Sequence, residues 1–343
     1  MKILISNENR NAHYYIRMGH AKAFSACGHE CVVWDLQSKS VFDAFDEFEP
    51  DIFWGQTYNL NNAIIKCIEE RPHLRVILRA PDWSDLADKV KSKYPILTAQ
   101  QDEIDLVNKL RDLTGKPNFL HCHYTQKSIE QTHKRWIDND YNVVSMLNGA
   151  DLFDFHNGSY NNIYESDICF IGGRWGYKAK NLDPYLVKLC HPKYDYNIKI
   201  FGNQNWGIPN YCGFINDEDA KHALSSSKIC PNISEPHSNE YGYDIVERPF
   251  KLLSNKCFVI SDHVQDLEDI IKGIVYVKSP EEFKEKIDYY LNNEEERSSI
   301  ANLGYSEVMN NHTYFHRIAN IFTNINLQHE ADHVMRIYNE HFK

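Results

Sequence analysis

The sequence predicts an α/β protein built from two doubly wound domains, and three observations carry that expectation. Apolar, β-rich runs alternate with helical stretches along nearly the whole chain, the pattern of parallel sheets covered by helices. The alternation occurs twice, from Lys2 to about Asp151 and again from Asp167, and the stretch Leu152 to Glu165 between them has no clear periodicity. A length of 343 residues gives each series the size of an ordinary domain.

The first series opens with KILIS as a strand (Lys2 to Ser6), the polar loop NENRNAHY, and a helix from about Tyr14 to Cys27 closed by Gly28. Strands follow at HECVVWD, DIFWG, RVILR, Asn118 to Cys122 and Asn142 to Leu147. Helices are expected at Asn61 to Glu70, Gln101 to Leu113 and Thr125 to Trp136. In the second series the strand DICFIGG leads to a loop, RWGYKAK, and a helix from Pro184 to Cys190. Then come strand Asn197 to Phe201, loop GNQNWGIPN, helix Glu218 to Ser226, and a short strand, Lys228 to Ile233. Pro231 suggests an irregular or terminal position for that strand. Ser234 to Tyr243 is crowded with Pro, Ser, Asn and Gly and reads as irregular. A short helix beginning near Glu247 precedes the buried-type strand CFVIS, and another strand is expected at Ile274 to Val277. Helices at Pro280 to Asn292 and Glu294 to Asn310 and a helical tail from Thr313 to Lys343 complete the chain.

Bulk properties remove several function classes. A 42% hydrophobic and 25% charged composition is that of a globular protein in water. The net charge of −11 argues against a broad nucleic-acid-binding face, so a nucleic-acid acceptor is not expected. Nine cysteines without a C-x-x-C pair, several of them in apolar runs, read as buried reduced thiols, and hence as a cytoplasmic protein. The N-terminus turns polar after five residues, which does not fit a signal peptide, and no run approaches a membrane span. G-x-G-x-x-G, P-loop and G-x-S-x-G motifs are absent, leaving dinucleotide, P-loop NTPase and serine-hydrolase readings without support.

The chemistry concentrates in Ser234 to Asp262, SEPHSNEYGYDIVERPFKLLSNKCFVISD. A loop feeding a helix start, with Arg248 and Lys251 in the first turns, suits a phosphorylated ligand. FIGGRWGYKAKN adds a second such place: two glycines let backbone approach a ligand, and Arg174 sets a cation beside it. In the first domain, candidate groups after strand ends are Asn7, Asn9, Arg10, His13, Tyr58, Asp82, Trp83, His121 and His123. His121 and His123 at strand spacing share a face, but without a third ligand they read as a solvent-edge pair rather than a metal site. Asp138-Asn139-Asp140 falls between a helix and a strand and reads as a turn, so no metal is expected.

ERPFKLLSNKCFVISD resembles the nucleotide-sugar-binding segment of CgeB-like (spore maturation protein B-like) glycosyltransferases, which have the GT-B fold. Arg248, Phe250 and Asp262 match the family pattern, and Lys251 stands where a Glu is common. SPEEFKEKIDYYLNNEEERSSIANLGYSEVMN with the following HTYFHR extends the resemblance, which spans roughly Asp167 to Arg317. It implies two Rossmann-like domains facing across a cleft: residues 1–151 for the acceptor, 166–312 for the nucleotide sugar, and helices over 313–343 crossing back to the first domain. It implies a metal-independent transfer from a UDP- or GDP-type sugar, as co-substrate, to an acceptor hydroxyl on a glycan, glycoprotein or small molecule. Arg174 with Lys178 or Lys180 would clamp the diphosphate alongside Arg248 and Lys251. Tyr211, Gly213 and Phe214 would lie along the base, and Tyr243 and Glu247 complete the set, Glu247 replacing the missing ribose acceptor. Asp82 is the first expectation for a general base and His13 the second, if the reaction inverts; a retaining reaction strictly needs neither. A nucleotide-sugar epimerase and a non-catalytic binding or assembly protein on the same fold remain alternatives.

Overall fold

The computed structural model describes residues 1–7, 12–190 and 192–343. The chain divides into two compact units, one formed by Met1–Leu147 with Tyr314–Lys343, the other by Asn148–Thr313.

The first unit runs β1 (Lys2–Asn7), α1 (Ala12–Ala26), β2 (Glu30–Asp35), α2 (Val41–Phe48), β3 (Ile52–Gln56), α3 (Asn62–Glu69) and β4 (Arg75–Arg79). It continues with α4 (Ala87–Lys93), α5 (Gln101–Thr114), β5 (Phe119–Cys122), α6 (Gln126–Thr132), α7 (Lys134–Asp138) and β6 (Val143–Ser145). The strands form one parallel sheet in the order β2-β1-β3-β4-β5-β6. Its middle strands are apolar on both faces, as a helix-covered parallel sheet requires: Ile3 to Ile5, Ile52 to Trp54 and Val76 to Leu78 are all buried. α1 ends at Gly28 with φ +81°, a left-handed turn that suits glycine. Helices α2 and α4 were not expected from the sequence. The side chain of Ser40 accepts a hydrogen bond from the Asp43 amide and starts α2. The expected single helix over Thr125 to Trp136 is two, broken at His133.

The second unit holds β7 (Ser166–Ile171), α8 (Gly176–Tyr185), β8 (Ile198–Phe201), α9 (Asp217–Ser225), β9 (Ser227–Asn232), α10 (Pro236–Tyr241) and α11 (Arg248–Ser254). It ends with β10 (Val259–Asp262), α12 (Gln265–Ile270), β11 (Val275–Val277), α13 (Pro280–Leu291) and α14 (Glu294–Asn311). Its sheet is also parallel, in the order β11-β10-β9-β7-β8. The core packs Ile168, Phe170, Ile200, Ile229 and Ile260 of the sheet against Leu182, Leu186, Phe283 and Ile287 of the helices.

Three local expectations are corrected here. RWGYKAK is not a loop: α8 starts at Gly176, and Pro184 lies in its last turn rather than its first. In a first turn proline deletes no bond, because those N–H groups have no intrahelical partner, whereas Pro184 removes an i→i−4 bond one residue before α8 ends at Tyr185. Pro231 sits inside a central strand, paired with Ile260, on the far side from β10's hydrogen bonds and past the last registered pair with β7, Ile168 to Ile229. The polar stretch after Ser234 contains α10, with Pro236 at its first turn and Gly242 (φ +76°) ending it.

The tail forms α15 (Tyr314–Asn324) and α16 (Gln328–His341), which belong to the first unit. Phe322 of α15 meets Phe24 of α1 edge-on at 5.6 Å, and the His333 ring of α16 reaches the Cys27 carbonyl at 3.2 Å. Among the described residues no helix is long and apolar enough to cross a membrane.

Candidate functional site

In an open parallel sheet, ligands collect beyond the strand C-termini where the strand order reverses. In the second unit that point lies between β7 and β9. Three segments approach one another there through glycine. A Cβ on Gly202 would come within 2.4 Å of the Gly172 carbonyl oxygen, and the Gly202 amide donates to the Gly213 carbonyl at 3.0 Å. A side chain at Gly202 would hold these loops apart, and one at Gly172 would press on the Phe170 ring at 3.0 Å and on Arg248 at 3.2 Å.

Arg248 leads into this edge. Its Nη1 donates to the Ile233 carbonyl at 3.2 Å, and its guanidinium lies 5.0 Å from the Phe170 ring centroid. Lys178, in the first turn of α8, feels the Arg248 charge, and burial followed by that repulsion lowers its pKa to about 8. Lys251 lies 3.9 Å from the Glu247 carboxylate and 4.2 Å from the centre of the Phe155 ring. The acids around these cations divide by environment. Burial raises Glu235 despite Lys178 nearby. Burial also pushes Glu247 up, but Lys251, Arg248 and Lys178 together bring it net below its ordinary value. Asp262 is raised by burial, and its oxygens accept from the Ser234 amide (2.9 and 3.0 Å) and hydroxyl (2.9 Å). It braces the loop after β9 rather than facing a ligand.

The expected residues do not all gather. Lys178 is drawn into the cation cluster, whereas Lys180 is exposed, 5.9 Å from the Tyr177 ring. Arg174 is gripped from within its own loop and helix, Nε to Asp183 Oδ1 at 2.8 Å and Nη2 to Oδ2 at 2.6 Å. Tyr211 donates to the Gly202 carbonyl at 2.8 Å and packs against the core, so it fastens the YCGF segment to β8. Gly213 adopts φ +94° with open space around it, and Phe214 beyond it is 72% exposed. Tyr243 is half-buried in the loop between α10 and α11.

Sequence reasoning missed a side-chain chain beside Lys178. His237 Nε2 donates to Asp244 Oδ2 at 2.6 Å, which leaves Nδ1 to accept from the Tyr177 hydroxyl at 2.5 Å. The His237 amide donates back to the same hydroxyl at 3.2 Å. This ties the first turn of α8 to α10 and to the loop before α11. No sequence signal marks it, because the partners are 60 residues apart.

In the first unit the order reverses between β1 and β3. Asn9 and Arg10 lie outside the described residues, Asn7 is buried, and His13 is half-buried in the first turn of α1. Asp82 is 1% exposed, and its carboxylate closes its own turn, accepting from the Trp83 amide (2.7 Å), the Ser84 amide (2.9 Å) and the Ser84 hydroxyl (3.2 Å). Arg135 stands 3.8 Å away, yet burial keeps the Asp82 pKa above its usual value. Glu103 of α5 was not anticipated. It is 7% exposed, takes a hydrogen bond from the Thr57 hydroxyl, and burial raises its pKa to about 7.

His121 is not at a solvent edge. It is 5% exposed, its Nε2 accepts from Trp54 Nε1 at 2.7 Å, and burial holds it neutral. The run at β5 is buried on both faces, so strand alternation did not predict an outside. His123 Nδ1 lies 3.1 Å from Arg79 Nη2, whose guanidinium also reaches Tyr58. Asp138 pairs with Lys134 at 2.7 Å and Asp140 has φ +61°, so the Asp-Asn-Asp run is a turn. Among the described residues no group of three or more His, Cys, Asp or Glu is placed to hold a metal ion.

Residues 185–323 match a protein-family model described as glycosyl transferase-like. No curated protein matches the chain in sequence. Solved structures do match in fold. One is the DNA-modifying enzyme β-glucosyltransferase, determined with and without uridine diphosphoglucose, at 14% identity and TM-score 0.56, covering 99% of this chain and 100% of that one. Another is an α-glucosyltransferase bound to UDP and a 13-mer DNA containing an HMU base, at 12% identity and TM-score 0.67, covering 95% and 99%. A third is the T4 phage β-glucosyltransferase with UDP and Mn2+, at 14% identity and TM-score 0.53, covering 98% and 99%. The chain therefore has the two-unit parallel α/β fold of GT-B glycosyltransferases, and its glycosyltransferase-like segment covers most of the second unit and the start of the tail.

Proposed function

We propose that the protein transfers a sugar from a nucleotide-diphosphate sugar, UDP-glucose first among them, to an acceptor hydroxyl. The observation that carries the reading is Arg248 at the reversal point of the second sheet, against the Phe170 ring and the Ile233 carbonyl, with Lys178 and Lys251 as the cations around its neighbour Glu247, within or beside the glycosyltransferase-like segment. As the glycosidic bond breaks, charge develops on the diphosphate, and fixed cations stabilise that charge most in the transition state. In this reading the cluster supplies the neutralisation and transfer is metal-independent. Arg174, locked to Asp183, shapes the loop. Phe214 offers its exposed ring to the base beside Tyr211 and Gly213, and Glu247 takes the ribose contact that Lys251 cannot make. Within the fold, Arg248, Phe250 and Asp262 support a resemblance to the CgeB-like transferases. Free cysteines throughout the described residues suit a reducing, cytoplasmic setting.

For the acceptor side, His13 fits proton removal better than Asp82, whose oxygens hold their own turn. The acceptor class divides on charge. Between the units, 21 Lys and Arg against 23 Asp and Glu give the first −2, and 16 against 25 give the second −9, together the −11 of the whole chain. The acidity thus lies mainly on the donor unit. That partition, with one DNA-modifying neighbour and one bound to DNA, gives a nucleic-acid hydroxyl a place beside glycans in the acceptor test.

The test is calorimetric titration with UDP-glucose, UDP and a GDP-sugar, followed by product analysis with glycans and with DNA bearing a hydroxylated base. UDP-glucose should bind, and Arg248→Ala should weaken it about 100-fold, the scale of a charge-assisted contact to phosphate. Unchanged affinity in that variant would sink the placement of the diphosphate. UDP release without acceptor, or sugar isomerisation, would favour hydrolase or epimerase chemistry. Turnover that requires added Mn2+ would overturn metal independence.

A further inference from the structure

We infer that Trp175 is the stacking platform for the donor's sugar ring, an assignment that rests on the donor reading above. The chain has six tryptophans, and Trp34, Trp54, Trp83, Trp136 and Trp206 are all buried while Trp175 is 40% exposed. An indole left in water at a sheet's ligand edge is an apolar face waiting for a partner with one dry side.

Its surroundings are built rather than loose. Trp175 is the extended residue (φ −89°, ψ 157°) that starts α8. On one side its ring lies 5.0 Å from the Tyr177 ring, tilted by 44°. Tyr177 in turn stacks on His237 at 5.9 Å and 11°, and is held there by the hydrogen bonds to His237 and on to Asp244. Arg174 before it is fixed to Asp183. Gly176 after it faces open space, where an added Cβ would meet nothing within 4 Å. The indole therefore rests against Tyr177 on one side and stays partly open to solvent.

Position selects the ring. Lys178 is three residues on, about one helical turn or roughly 5 Å along the axis. A sugar is bonded directly to the terminal phosphate, whereas the base is separated from it by the other phosphate and the ribose. At that distance from a phosphate-binding lysine, the sugar is the ring within reach. Its axial C–H groups form a weakly positive, apolar face that matches the negative face of indole.

Because the other five tryptophans are buried, the emission difference between wild type and Trp175→Phe isolates this residue. The experiment follows that emission during titration with UDP-glucose and with UDP, and measures both affinities by calorimetry in wild type, Trp175→Ala and Trp175→Phe. UDP-glucose should change Trp175 emission, and UDP alone should leave it near its free value. Trp175→Ala should weaken UDP-glucose about tenfold while UDP affinity moves less than about twofold, with Trp175→Phe close to wild type. In turnover the loss should fall on KM rather than kcat. A full emission change with UDP alone would assign the platform to the nucleoside and overturn the sugar assignment. Calorimetric binding of UDP-glucose with silent Trp175 and unchanged Trp175→Ala affinity would remove Trp175 from the site while leaving the donor reading intact. Absence of any nucleotide binding would overturn the donor reading and this inference together.

Discussion

The two units share a parallel sheet and a reversal point, yet they differ in whether neighbouring charges offset burial. In the second unit Lys178, Arg248 and Lys251 stand among Glu235, Glu247 and Asp262, and the mutual field keeps Glu247 ionised. In the first unit burial drives titratable groups toward their neutral forms: His20 is lowered to about 3, His133 to about 4, and Glu103 is raised to about 7. A diphosphate needs fixed positive charge, whereas a hydroxyl acceptor is uncharged and is recognised by neutral hydrogen-bonding groups. Burial disfavours charge in both units, and the difference is that the cations around Glu247 outweigh it whereas nothing does so at His20, His133 or Glu103.

The sharpest way to break that contrast is at Asp82, a buried carboxylate of the first unit. If its carboxylate closes the turn, Asp82→Ala strands the Trp83 and Ser84 amides in a buried site. The expected cost is about 4 kcal/mol of unfolding free energy, read by denaturant titration. A loss under about 1 kcal/mol with abolished turnover would instead make Asp82 the base.

Glu103 comes next. Its folded pKa of about 7 lies above the ordinary 4.5, so the folded state holds more protons between those values. A group raised in this way contributes its stabilisation fully below about pH 4.5 and loses it as pH rises through 7. Glu103→Gln keeps an acceptor for Thr57 and removes the ionisation. Relative to wild type the variant should gain about 2 kcal/mol between pH 5 and 8, with the difference vanishing in acid. Parallel stability curves for the two proteins over that range would show that Glu103 is not held neutral.

Much of the architecture was legible because it depends on local pattern. Apolar runs such as KILIS and CFVIS bounded by polar turns marked strands, and Gly28 marked the end of α1. What was lost depends on distance or phase. Pro184 signals a boundary without saying which one, so α8 was read as a loop and Lys178 could not be separated from Lys180. Arg174 and Asp183 are nine residues apart, and only a helix starting between them brings the carboxylate back to the guanidinium. Arg248 was legible because ERPF places it at a helix start. Glu103 was not, since its burial under Thr57, 46 residues away, is a property of packing.

Lys178 yields the smallest effect but joins both halves of the comparison, because two observables should move in opposite directions. Its pKa of about 8 lies below the ordinary lysine value of 10.5. Between those values the unfolded chain holds the proton and the folded one does not. Stability from this group therefore rises as pH passes upward through 8. Donor affinity should do the reverse, falling about tenfold from pH 7 to pH 9.5, as one phosphate-facing charge disappears. Lys178→Met should flatten both trends, with UDP-glucose affinity at pH 7 already near the wild-type value at pH 9.5. Stability and affinity declining together in wild type, and still declining in the variant, would place the titrating group elsewhere and leave Arg248 and Lys251 to hold the phosphates alone.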